Sequence, residues 1–192
     1  MRSTRGSEKP SDIRTYSEGD CWTILHAAAA SGNEETVRAV SAAVRRSLGP
    51  TQATAMVASC DLVHGTIIHT ASRSGSSSVF EAVLDEMTEA GLPADKVNKF
   101  LASNPKGLVS TVLAKAAASG SIEMWRTAVH VVDQRLAPDE VQKVWAADGH
   151  SSVLSAAASS GVSEMWQIVE AELRHRLELR REVCFTLQAV SG

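Results

Sequence analysis

Four stretches of the chain place apolar residues three and four positions apart, the spacing of an amphipathic helix. They run through Val37, Val40 and Val44; Phe80, Val83, Leu84 and Met87; Trp125, Ala128, Val129 and Val132; and Trp166, Val169 and Leu173. Ahead of each lies a shorter, alanine-rich stretch that stops at a Ser-Gly pair, as in "ILHAAAASG" from Ile24 to Gly32. A third kind of segment links the units. "LPADKVNKFLASN" and "APDEVQKVWAAD" open with proline and acidic residues, as a helix N-terminus does, and then place apolar residues at helical spacing. "GPTQATAMVASCD" fits the same template, and "LRREVCFTLQAV" is its expected equivalent after the last unit. No alternating apolar and polar run argues for a strand, so the pattern predicts an all-α chain.

The units keep register. The Ser-Gly glycines Gly32, Gly75, Gly120 and Gly161 are separated by 43, 45 and 41 residues. Nine positions before each stands a hydroxyl, Thr23, Thr66, Thr111 or Ser152, and seven before stands Leu25, Ile68, Leu113 or Leu154. Four before is always alanine: Ala28, Ala71, Ala116 and Ala157. A fixed period near 40 residues is the mark of a stacked array. Within it, the hydroxyl is placed to cap a helix of about two turns. The glycine suits the left-handed C-terminal position, and alanine lets a neighbouring helix approach closely.

Composition sharpens this picture. Aromatic residues make up only 4% of the 192 residues, so the core must come from many small contacts rather than a bulky centre. The formal charge of −3 gives no global attraction to nucleic acid or to an acidic membrane. Cys21, Cys60 and Cys184 are odd in number and far apart, which argues against a disulfide framework and for a reducing compartment. The first 20 residues hold no apolar signal-peptide core, and no stretch is apolar for the roughly 18 residues a membrane helix needs. The expectation is an intracellular protein of the cytoplasm or nucleus.

Thr23-Ile24-Leu25-His26, Ala28-Ala29, Gly32, Val37 and Val40 resemble the ankyrin repeat, whose signature is a Thr-Pro-Leu-His start, an alanine pair, a turn glycine and a Val- and Leu-rich second helix. "GTIIHTASRSG", Gly65 to Gly75, is similar again, and units three and four keep the hydroxyl, leucine, alanines and glycine while His26 and His69 give way to Ala114 and Ser155. The resemblance covers about two-thirds of the chain. In place of the family's proline stand Ile24, Ile67, Val112 and Val153, and the period is roughly ten residues longer than the usual ~33. The extra residues form the third helix. A HEAT- or armadillo-like array suits the same period and is the alternative architecture.

Candidate chemistry reads mostly as scaffolding. The resemblance implies that His26 and His69 make hydrogen bonds tying neighbouring repeats. Cys60, His64 and His69 form a string that lacks a fourth ligand and the common zinc spacings. Trp125 and Trp166 share the offset of Val37 and Phe80, which places both in the core, and Trp145 lies on the apolar face of its own segment. "SRSGSSS", Ser72 to Ser78, lacks the lysine of a phosphate loop and reads as a turn with a helix cap. The basic run from Arg174 to Arg181 reads as a solvated helix face, with an acidic partner as its other reading.

These readings converge on an all-α helical-repeat solenoid of four ankyrin-like units, about 20–62, 63–107, 108–148 and 149–190, each of three helices, behind a flexible tail at 1–19. The expected role is a non-enzymatic protein-binding module with no catalytic residues, cofactor, metal, nucleic acid or membrane in its function. Thr70, Arg73 and Lys115, short-helix positions at the centre of the array that need not be small, are the candidate partner contacts. A structural segment of a larger protein, self-associating through imperfectly capped ends near Trp22 and Cys184-Phe185, is the alternative.

Overall fold

Alanine is what allows the helices of this chain to sit side by side. The computed structural model describes residues 22–61, 64–102, 111–147 and 149–190, and for 177–190 and within 146–152 only the path of the backbone. The expected tail at 1–19 lies outside these residues, as do Cys21 and the side chains of Cys184 and Phe185.

The described residues form eleven helices: α1 (Ile24–Ala30), α2 (Glu34–Ser47), α3 (Pro50–Val57), α4 (Ile67–Ser74), α5 (Ser77–Glu89), α6 (Ala94–Ala102), α7 (Val112–Ser119), α8 (Ile122–Arg135), α9 (Pro138–Ala147), α10 (Gly149–Ser159) and α11 (Ser163–Val190). The short helices pack in sequence order, α1 on α4, α4 on α7 and α7 on α10, and the longer ones follow beside them, α2 on α5 and α5 on α8. Ala28, Ala71, Ala116 and Ala157 are all buried, the last three completely. A methyl group at such a contact fills the space without forcing the backbones apart. Around them one apolar cluster runs from Leu25 through Ile68, Phe80, Leu113 and Trp125 to Met165 and Leu173.

Each short helix ends in the same turn. Gly32, Gly75, Gly120 and Gly161 adopt φ values of 71°, 79°, 74° and 72°, a left-handed conformation that glycine takes without penalty. The serine before each glycine closes the turn: the hydroxyls of Ser31, Ser74, Ser119 and Ser160 donate to the carbonyls of Ala28, Ala71, Ala116 and Ala157 at 2.6–2.7 Å. The same oxygens accept from the backbone N–H two residues on, at 3.2–3.3 Å. The next helix then starts from a side-chain cap, Asn33, Ser76 or Ser121, in the first three units. Val162 stands at that position in the fourth and offers no cap oxygen.

Four details depart from the sequence reading. The fourth unit has no separate third helix, because α11 runs unbroken for 28 residues. The other long helices stop just ahead of Gly49-Pro50, Leu92-Pro93 and Ala137-Pro138, whereas no proline or glycine interrupts Ser163 to Val190. Two short strands, β1 (Cys60–Asp61) and β2 (Gly65–Thr66), pair antiparallel ahead of α4, a ladder too short to leave a periodic signal. Ser152 lies inside α10 rather than capping it, since that helix begins at Gly149. Trp166 is 38% exposed although its counterparts Val37, Phe80 and Trp125 are buried, because each of those is covered by a following unit.

α11 is stitched to the body through Arg176. Its guanidinium donates to Asp133 of α8 at 2.6 and 3.1 Å and to Glu172 at 2.7 Å, and lies 4.3 Å from the centroid of Trp145 on α9. Trp145 in turn meets Trp125 edge-on at 5.8 Å.

Replacing Ala116 by leucine should cost about 1–3 kcal/mol through overpacking at the α4–α7–α10 contact. Ala118→Leu, on the half-buried outer side of the same helix, should stay within about 0.5 kcal/mol. Denaturant unfolding of the two variants measures the difference.

Candidate functional site

The short helices carry two kinds of polar side chain that could do chemistry: buried histidines near the joints between units, and a cationic pair on the outer face. The joints come first. Thr23 and His26 form a reciprocal cap at the start of α1. The Thr23 backbone N–H can only donate, so His26 Nδ1 accepts from it, at 3.2 Å, and the ring proton sits on Nε2. Nε2 donates to the Gly65 carbonyl oxygen at 3.1 Å, tying α1 to the strand that leads into α4. Gly65 has φ of 81°, and a methyl group there would come within 2.9 Å of the His69 ring.

His69 repeats the motif only in part. Its Nδ1 pairs with Thr66 Oγ1 at 2.9 Å, so this threonine serves the imidazole and caps no backbone N–H. Its Nε2 is buried with no hydrogen-bond partner. One residue before the hydroxyl of the next unit, where Gly65 stands for His26, is Ser110, outside the described residues. Burial, then the charge of Lys115 and of His26, pushes the His69 pKa down to about 3. His26 is lowered as well, chiefly by burial. Both rings are therefore neutral at physiological pH and poor proton donors, and His26 is held in a single tautomer.

No three His, Cys, Asp or Glu side chains gather as a metal site among the described residues. His64 is drawn away to Asp61, whose Oδ1 lies 2.8 Å from its Nδ1, and His69 to Thr66. In "SRSGSSS", the Ser76 hydroxyl caps α5 by accepting from the Val79 N–H at 3.3 Å. Of the basic run, Arg174 pairs with Glu170 at 2.7 Å and Arg176 is spent on the α8 and α9 contacts.

The outer face of the short helices is built from the positions five and two residues before each turn glycine. In chain order these are Ala27 and Ala30, Thr70 and Arg73, Lys115 and Ala118, Ala156 and Ser159. Of the three residues expected to meet a partner, Arg73 is exposed and Lys115 half-buried. Thr70 is not: it is 5% exposed, its Oγ1 buried without a partner. Burial first and the charge of Arg73 second lower the Lys115 pKa, so the two cations lie in each other's field. The turn serines carry structural weight that the sequence reading used only as landmarks; their recurrence before every glycine was the available signal.

Stability should follow the histidines. Between its ordinary value of 6.5 and about 3, His69 binds a proton only in the unfolded chain, so stability is whole above that upper limit and declines as the pH falls. At pH 5 the loss is about 2 kcal/mol. The drop in melting temperature between pH 7 and pH 5 should be smaller in His69→Gln than in the parent chain.

The search for relatives leaves this geometry to speak for itself: no family model, no characterised protein and no solved structure matches the chain.

Proposed function

We propose that the chain is a non-enzymatic protein-binding module, a helical solenoid of four ankyrin-like units that offers the outer face of its short helices to a protein partner. The observation that carries this reading is the contrast between the two sides of those helices. The inner side is closed by alanines, whereas the outer side presents small residues with a charged centre. Small residues leave room for a segment of another protein to lie across the row, and specificity then rests on the few larger side chains displayed there. The joints favour a scaffold over an enzyme, since His26 and His69 are neutral and buried, and His26 ties its unit to the next. Fixed joints also suit recognition, because a preorganised face loses little freedom on binding.

Blocking the face tests this. Ala30 and Ser159 are exposed, so tryptophan at both should leave the melting temperature within about 3 °C. The same double variant should lose the proteins that the parent chain retains in affinity capture from its native source. Unchanged capture removes the face from consideration.

A second reading, self-association through the ends, is favoured by where the large exposed apolar side chains lie. Trp22 and Ile24 are 43% and 59% exposed at the start of the row, and Val162 and Trp166 are 37% and 38% exposed in the last unit. Ile67, Val112 and Val153, the counterparts of Ile24, are buried against the preceding unit. An end of one copy that repeats the internal contact on another would give head-to-tail association. Sedimentation velocity from low to high micromolar concentration should then show a rising average mass that Ile24→Glu with Trp166→Glu abolishes.

A further inference from the structure

The two rows of helices treat charge in opposite ways. Along the longer helices, cations meet carboxylates on the neighbouring unit: Arg38 with Asp85 at 3.4 Å, Arg45 with the buried Glu86 and with Glu89 at 3.2 Å, and Arg176 with Asp133. Along the short helices the sequence contains no acidic residue at all, from α1 through α4 and α7 to α10. Arg73 and Lys115 are the charged side chains of that row, both are cationic, and neither has an ion-pair partner among the described residues. Nearby, Asp61 on β1 is engaged by His64. A chain of net charge −3 thus keeps an acid-free strip with two adjacent cations at its centre.

We propose that this strip binds an acidic segment of a protein partner, a carboxylate of which is held between the Arg73 guanidinium and the Lys115 ammonium. The inference rests on the binding-module reading and specifies its partner's chemistry. Two further observations support it. The half-buried ammonium of Lys115 is disfavoured by desolvation and by Arg73, and an intervening carboxylate would offset both. The neighbouring positions Ala27, Ala30, Ala118 and Ala156 are methyl-sized, which suits a peptide backbone lying flat.

A polyphosphate fits less well. Its affinity grows with the number of phosphates neutralised, and two cations supply little. Glu34, Glu35, Glu123 and Glu164, just beyond the turns, would repel a long polyanion but not a short segment with a few carboxylates. Four parallel helices spaced about 8–10 Å apart span about 24–30 Å, the reach of about nine extended residues.

The test uses the full chain on an array of random peptides about ten residues long, with fluorescence anisotropy on the peptides retained. Bound peptides should be enriched in Asp and Glu. Their affinity should fall at least about tenfold when Glu is replaced by Gln, when salt is raised from about 50 to 300 mM, or in Arg73→Ala with Lys115→Ala. That double variant should melt as the parent does, and NMR titration should show the Lys115 pKa rising when peptide binds. Peptides retained without acidic enrichment, equal affinity in the double variant, or preferential binding of an RNA oligonucleotide or phosphatidylserine vesicles would overturn the proposal. Failure of the broader reading is distinguishable: Ala30→Trp with Ser159→Trp would then leave capture intact. Capture lost in that variant, with the cation pair dispensable, would spare the face and discard only its acidic ligand.

Discussion

The structure depends on how closely its short helices can approach one another. Helix axes usually sit 8–10 Å apart, nearer the lower figure when the contact residues are small. Ala28, Ala71, Ala116 and Ala157 set that approach at each layer and are sealed from solvent. Larger side chains are then free to work elsewhere. Phe80, Trp125 and Met165, buried side chains of the longer helices, bring bulk to the same apolar cluster. With aromatic residues so scarce, cohesion comes from the repetition of modest contacts along the chain.

Polar groups are handled with similar economy. Each turn spends one serine hydroxyl twice, donating to a carbonyl left unpaired by the end of the short helix and accepting from the backbone that leads into the next. His26 bonds through both ring nitrogens and thereby fixes the separation of two units. Along the long row several cations meet carboxylates of a neighbouring helix, whereas on the short row Arg73 and Lys115 have no ion-pair partner among the described residues. An unpaired, half-buried lysine carries a desolvation cost with no internal compensation, and sites that carry such costs are often those that meet a ligand.

Much of this was legible before any coordinates. The glycine spacing located the four turns, the alanine offset located the close contacts, and the apolar stripes located α2, α5 and α8. What escaped the sequence reading did so for physical reasons. Trp166 follows the repeat in sequence, yet repetition says nothing about whether a further layer exists to cover it. Thr70 looked available because its central short-helix position need not be small, but its burial is a property of three dimensions. The continuity of α11 was written in the absence of Gly and Pro from Ser163 to Val190, a negative signal that the expectation of a third helix overrode. The serine hydroxyls were visible as letters, but their double bonding emerges only from the turn geometry.

A row held together by nearest-neighbour contacts does not open uniformly. α4 and α7 are each clamped by a short helix on either side, whereas among the described residues α1 has such a neighbour on one side only. Fraying therefore begins at the margins and spreads inward, as in a one-dimensional cooperative lattice. Arg73 and Lys115 sit on the two helices that such fluctuations reach last, so the cationic notch keeps its shape while the extremities breathe.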